Sequence, residues 1–398
     1  MQVTKAFFIL IIGFSLFVMV RAGEPLVAPP APATISFDRP VPQEDGSELV
    51  RFPSSVQTEH IRNNTVPLRV YFPSTSSGPF PMVLVLHYWG ATDQKNETDL
   101  ARRLNSQGIA CALMELPYHL SRAPEGTRSG QLAVTPDPAG MIATMHQAVA
   151  DIRRSIDWFE SDPRVDASRV GLAGTSLGGI VGGLAFTQEP RIKAYCSVLG
   201  GASIADTVWE SSRLVRERKI MRDKGWTRDT VGEALRTIEP SSYANPNESR
   251  PVYLIAARYD TVMPLSSYDK AREIFPSCQS LWIETGHYGG YLVQSSIQNS
   301  VTNFFSKTFA GQTFKAPSRL YAPTLRLSSI ASTDGGIQVG IGLDLWKLDA
   351  KGSGFGTVLM TPKGVQGFVG ADIGGGFALG VNFRPKKTGI GLLWSFVL

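Results

Sequence analysis

Between residues 66 and 309, short apolar runs alternate with segments of helical spacing. That alternation limits what the chain can become more than any other feature. Met82–Leu86 is apolar at every position, the mark of a strand covered on both faces. Ile109–Met114, Arg169–Ala173, Ile192–Leu199, Val252–Ala257 and Ser280–Ile283 read as further strands, after an earlier one at Val66–Pro73. Helical stretches lie between and after them, the longest at Met141–Glu160, where Met145, Ala148, Ile152, Ile156 and Phe159 recur at helical spacing. Strands alternating with helices imply a mostly parallel sheet with helices on both faces. Such sheets hold ligands beyond the carboxyl ends of their strands. Chemistry is therefore sought in the residues that follow each strand.

One motif stands in that position. Gly174-Thr175-Ser176-Leu177-Gly178-Gly179 follows the strand at 169–173 and opens a helix, in the pattern G-x-S-x-G. The turn is so sharp that the neighbours of the serine must be tiny, and it lifts the hydroxyl above the sheet at a helix amino terminus. Without its flanking strand and helix the pattern would be weak in a glycine-rich chain; with them, Ser176 is the candidate nucleophile. A serine needs a base. Where this turn occurs in hydrolases the order is nucleophile, acid, histidine. Of His60, His87, His119, His146 and His287, only His287 follows Ser176. The acid should follow an intervening strand, and Asp260 comes three residues after Val252–Ala257. Glu284 is its nearest competitor, but it adjoins the histidine loop. The oxyanion donors are read as the amide of Leu177 and one from the turn His87-Tyr88-Trp89-Gly90, at Trp89 or alternatively Tyr88. Tyr88 and Tyr288 are placed as walls of the substrate pocket, with His87 shaping the turn rather than moving protons.

These segments carry a resemblance. LHYWG, RVDASRVGLAGTSLGG, RPVYLIAARYDTVMP and TGHYGG resemble the α/β-hydrolase superfamily, most closely its dienelactone-hydrolase and prolyl-oligopeptidase-like serine esterase branch, over roughly Val66 to Phe309. The resemblance implies an α/β-hydrolase sheet with Ser176 as nucleophile, His287 as base, Asp260 as acid, and the Leu177 and Trp89 amides as oxyanion donors. Two departures stand out. Tyr88 occupies a position where many relatives have glycine, and true dienelactone hydrolases use cysteine where this chain has Ser176.

The ends of the chain differ from its middle. Lys5, the apolar run Ala6–Val20 and Val20-Arg21-Ala22 form a signal peptide over 1–22, which implies export to a periplasmic or extracellular location. Residues 23–46 are rich in proline and read as an extended tether. The hydrolase domain is expected over 47–310. Within it, a polar, helix-favouring stretch at about 202–250 is placed as a cap over the sheet edge or as a surface crossover. From Gly311 onward lie 17 of the 39 glycines, and period-two alternation appears at Ile337–Leu345, Phe377–Phe383 and Ile390–Phe396. Residues 319–398 are therefore expected to form a Gly-rich antiparallel β-meander of five or six strands. That is fewer than the roughly eight of a closed membrane barrel. Its apolar face must meet the hydrolase domain, a second copy of the chain, or lipid.

Composition narrows the function. Lys and Arg number 39 against 34 Asp and Glu, a formal charge of +5, with no basic run, so nucleic acid is not an expected partner. Three cysteines, Cys111, Cys196 and Cys278, match neither a disulfide framework nor a zinc pattern. The expectation is an exported serine hydrolase that cleaves a small carboxylic ester through an acyl-enzyme and needs no metal or organic cofactor. Two alternatives are a serine peptidase and a non-catalytic envelope binding protein with a hydrolase-like core.

Overall fold

A computed structural model describes residues 37–74, 77–322, 324–347 and 354–397. The stretches expected to be signal peptide and, up to residue 36, tether lie outside these. The chain enters through three antiparallel strands, β1 (Val41–Pro42), β2 (Glu48–Pro53) and β3 (Thr65–Tyr71). β1 falls within the stretch expected to be tether. A turn at Gly46, braced by Asp45 accepting from the Ser47 amide at 3.1 Å, folds it back onto β2. There follow β4 (Phe80–Leu86), α1 (Lys95–Asn105), β5 (Ala110–Met114), α2 (Pro138–Ser161), β6 (Val165–Thr175), α3 (Leu177–Gln188) and β7 (Ile192–Val198). An insertion then forms α4 (Ile204–Glu210), α5 (Val215–Asp223) and α6 (Arg228–Leu235). The unit closes with β8 (Val252–Ala257), α7 (Leu265–Ile274), β9 (Cys278–Ile283), α8 (Gln294–Phe309) and β10 (Arg319–Leu320).

The ten strands form one sheet in the order β1-β2-β3-β5-β4-β6-β7-β8-β9-β10, parallel from β5 through β10. β4 explains why its sequence is apolar throughout. Met82, Leu84 and Leu86 join the core formed with Ile152 and Phe159 of α2 and Leu184 of α3. Val83 and Val85 join the opposite core, with Leu104 of α1 and Val301 and Phe305 of α8. Each such fully buried side chain contributes about 1.5–3 kcal/mol of transfer free energy. α2 starts where Asp137 caps it, accepting from the Ala139 and Gly140 amides, with Pro138 at the first helical position. Val208, Met221, Val231 and Leu235 of the insertion are buried in the first of these cores, so the insertion is an integral layer of the domain.

The glycine-rich region departs from the open sheet expected of it. β11 (Thr324–Ser332), β12 (Gly336–Lys347), β13 (Gly354–Thr361), β14 (Gly364–Gly374), β15 (Phe377–Arg384) and β16 (Lys387–Val397) close into a barrel, with β16 pairing back onto β11. Six strands suffice because glycines face the narrow interior. A Cβ on Gly380 would lie 2.2 Å from the Val369 carbonyl oxygen, and one on Gly370 would lie 2.5 Å from the Phe368 ring. The beginning of the region also moves: Arg319–Leu320 extends the main sheet beside β9 instead of starting the meander.

Candidate active site

Ser176 sits between β6 and α3 with φ 52° and ψ −111°, a conformation that side chains other than glycine rarely adopt. The neighbouring glycines are small for steric reasons. A Cβ on Gly174 would lie 2.1 Å from the Gly178 carbonyl oxygen, and one on Gly178 would lie 2.5 Å from that of Leu86. The first turn of α3 therefore presses against the end of β4 and the turn that follows it.

His287 follows β9, and Asp260 follows β8. The structure brings both to Ser176. His287 Nε2 lies 3.1 Å from Ser176 Oγ, and Nδ1 lies 2.7 Å from Asp260 Oδ2. A carboxylate accepts, so Nδ1 carries the hydrogen and Nε2 is free to accept from the serine hydroxyl. Asp260 is itself held: Oδ1 accepts from the Val262 and Met263 amides, both at 2.8 Å, and Oδ2 accepts from Tyr268 Oη at 2.6 Å. Tyr268 lies on α7 and is fully buried. Burial, and then the adjacent carboxylate, push its phenol well above its ordinary value, so it stays a donor. Sequence reasoning missed Tyr268, whose only signal was its place in the helix after Asp260. Glu284, the competing acid, faces Arg258 and Arg319 at 3.2 and 3.0 Å.

Leu177 is the first residue of α3, whose amide has no partner within the helix. Tyr88 and Trp89 lie in the turn after β4. That turn is pinned by His87, which is fully buried, donates from Nδ1 to the Tyr88 carbonyl at 2.9 Å, and accepts the Leu116 amide at Nε2 at 3.0 Å. Burial, with neighbouring His119 adding to it, lowers His87 to about 3, so the imidazole stays neutral. The Trp89 indole donates to the Gly130 carbonyl at 2.8 Å.

A cavity of about 120 Å³ opens beside Ser176 and His287. Tyr88 and Tyr288 line it, together with Val85, Leu100, Leu199 and Ile297. Arg213, from the insertion, also reaches the wall; it donates to Tyr288 Oη at 3.4 Å and to the Trp89 carbonyl at 3.3 Å. The sequence had offered no reason to single it out.

One wall residue is a buried acid. Glu97 on α1 is 3% exposed, and its Oε2 has no hydrogen-bond partner among the described residues. Burial, reinforced by Asp93, raises its carboxyl from 4.5 to about 7. The folded state thus holds this proton more tightly than the unfolded chain. Its stabilising effect is complete below about pH 4.5 and is lost as pH rises through about 7. Glu97→Gln is expected to leave stability nearly unchanged at pH 4.5 and to raise it by about 3 kcal/mol above pH 8. Urea denaturation of both proteins at the two pH values checks this. An equal difference at both would contradict it.

Comparison with known proteins identifies the fold and the family. A curated relative, the "Putative esterase YitV" of Bacillus subtilis (strain 168), is 24% identical over 207 residues, covering 51% of this chain and 76% of that protein. Two solved acetyl xylan esterases share the fold. The enzyme from Paenibacillus sp. R4 has a TM-score of 0.50 at 18% identity, covering 67% of this chain and 86% of its own. Acetyl xylan esterase 1 from Thermoanaerobacterium sp. JW/SL YS485 has a TM-score of 0.50 at 17% identity, covering 68% and 88%. The family model described as X-Pro dipeptidyl-peptidase (S15 family) matches residues 64–316, well over half of the chain. A largely parallel sheet with a serine at its strand-to-helix turn and a family match over residues 64–316 of that unit lead to one conclusion: this chain belongs to the S15 family, and it is a serine hydrolase of the α/β-hydrolase superfamily.

Proposed function

We propose that Ser176, His287 and Asp260 act as a catalytic triad and that the substrate is a carboxylic ester with a short apolar acyl group. The observation that carries the reading is the continuous hydrogen-bonded chain from Ser176 Oγ through His287 to Asp260, beside an apolar cavity. Ser176 Oγ attacks the acyl carbon while His287 Nε2 takes its proton. Charge on the carbonyl oxygen is met by the amides of Leu177 and Trp89. The tetrahedral adduct collapses, the alcohol leaves with the proton from His287, and Ser176 remains acylated. Water, deprotonated by His287, then releases the acid and restores the serine. Asp260, oriented by Tyr268, stabilises the imidazolium formed in each half.

Cavity size favours small esters over dipeptides. A cavity of about 150 Å³ admits benzene, so one of about 120 Å³ suits an acyl chain of roughly four to six carbons. The test is a series of p-nitrophenyl esters from acetyl to decanoyl, run beside Ala-Pro-p-nitroanilide. We expect kcat/KM to peak at the four-to-six-carbon esters and to exceed that for the anilide at least tenfold. A preference for the anilide would assign the chain the dipeptidyl activity in its family's description instead. The charged, apolar and small-residue succession of residues 1–22 supports export. Secreted protein whose mass begins at Gly23 is the expected result, and a cell-retained chain starting at Met1 would contradict it.

A further inference from the structure

The barrel turns its apolar side chains outward. Inward and outward positions alternate along the strands, and the outward ones are exposed over most of the barrel, while the end of β14, Ala371–Gly374, is exposed throughout. Leu327, Ile341, Met360, Val369, Leu379 and Ile390, one from each of the six strands, are 41–66% exposed. Among the described side chains at outward positions in the body of the barrel none is charged; the exposed Asp372 lies at the bulged end of β14. The interior holds polar groups at both ends of a small apolar centre. Arg326 bonds Asp344 at 2.6 Å and Ser395 at 3.0 Å, and Arg384 bonds Gln366 and Ser332, both at 3.0 Å. Between these two layers lie Ile330, Leu359, Phe368 and Leu393, all buried. A water-facing barrel can share such a packed centre but turns polar side chains outward, and this one turns apolar side chains outward.

We propose that the hydrocarbon of a lipid bilayer covers this surface, so that the barrel anchors the hydrolase domain to a membrane. Three observations select lipid. The apolar belt runs around the whole circumference, whereas a second copy of the chain would touch one side. The ladder closes on itself from β11 to β16, leaving no unpaired strand edge, which is the requirement for β-structure in hydrocarbon. The strands are 8 to 12 residues long, against about 9–11 for a membrane-crossing strand.

Charge at the rim fits the same occupant. The end away from Thr324 carries Lys363 and Lys386 in its turns and Lys387 at the start of β16, while Asp334 there is matched by Arg384 at 3.4 Å. The resulting excess of positive charge suits anionic headgroups.

The full chain, mixed with vesicles of phosphatidylcholine and phosphatidylglycerol at three to one, is floated on a density gradient. Trp394 is outward and 46% exposed, so acyl-brominated lipids should quench it; the Trp394 signal is the difference between native protein and Trp394→Phe. The expected result is flotation with at least twofold quenching of that signal. The apolar run Ala6–Val20 could float the chain unaided, but it contains no tryptophan. The double substitution Leu379→Asp with Val381→Asp is expected to abolish quenching while fluorophosphonate labelling of Ser176 persists, which reports an intact hydrolase domain. Absence of quenching in the native protein would overturn the proposal. So would a discrete vesicle-free oligomer that excludes lipid from Trp394. Neither result would bear on the ester chemistry.

Discussion

Ser176→Ala is expected to lower kcat on the best p-nitrophenyl ester by about 10⁵–10⁶, with KM changed by less than a few-fold. The loss is this large because the remaining groups lose their function together. On the proposed mechanism His287 Nε2, 3.1 Å from the serine oxygen, is left with only water to deprotonate, and the amides of Leu177 and Trp89 have no covalent adduct to stabilise. Any residual rate reflects water attacking an ester held next to those amides. Asp260→Asn should cost about 10⁴ by a different route. Its amide nitrogen can donate to His287, which favours the tautomer whose Nε2 bears hydrogen and cannot accept from Ser176. Thermal unfolding should change little for Ser176→Ala, because the hydroxyl packs nothing. A Ser176→Ala protein that keeps its activity, measured after exclusion of contaminating esterase, would contradict the assignment.

The largest effect on stability is expected far from that chemistry. Arg122, in the long loop between β5 and α2, and Asp151 on α2 are both fully buried and bonded at 2.8 Å. The guanidinium also donates to the Asn63 carbonyl at 2.7 Å and the Glu115 carbonyl at 2.8 Å, while Asp151 accepts from Ser54 at 2.6 Å. One ion pair thus joins the loop, the entry strands and the longest helix. Burial holds the Asp151 carboxyl above its ordinary value even with Arg122 beside it, which shows how poorly the site would tolerate a lone anion. Arg122→Met removes the bonded counter-charge and the guanidinium's hydrogen bonds to the Glu115 and Asn63 carbonyls, the latter keeping only Gln147 Nε2 at 3.3 Å. The expected loss is about 3–5 kcal/mol at pH 8. The loss should shrink at pH 5, where Asp151 in the variant can become neutral by taking up a proton. Urea titrations at both pH values test this, and a loss below about 1 kcal/mol at pH 8 would show that the pair is dispensable.

What was legible in the sequence was local. β4, β5 and β8 announced themselves because a strand packed on both faces must be apolar at each position. Ser176 was legible because only glycines fit two positions to either side of it, at 174 and 178. His287 and Asp260 were found by chain order and by their places after strands, and the structure sets all three in hydrogen-bond contact. Residues that act through tertiary contact were not legible. Tyr268 looks like an ordinary helical tyrosine until α7 is seen lying against the acid. Glu97, within the polar run Lys95–Asp99, looks solvated, yet α1 turns it into the cavity wall. Arg213 belongs to a stretch whose composition indicates only helix.

The barrel shows a different limit. Alternation identifies the two faces of a strand but not which one faces inward, and closure depends on pairing Arg326 with Val397, far apart in the chain. A cue was present in the residues between the apolar ones: Gln338, Gly340, Gly342 and Asp344 suit a cramped polar interior better than a solvated face.

The central claim is that folding activates one hydroxyl, and a fluorophosphonate reads this without knowledge of the substrate. Native protein at pH 8 should gain the mass of one adduct per chain, and peptide mapping should place it on Ser176. Full occupancy of any other residue, or no adduct on folded protein after prolonged exposure, would contradict the account.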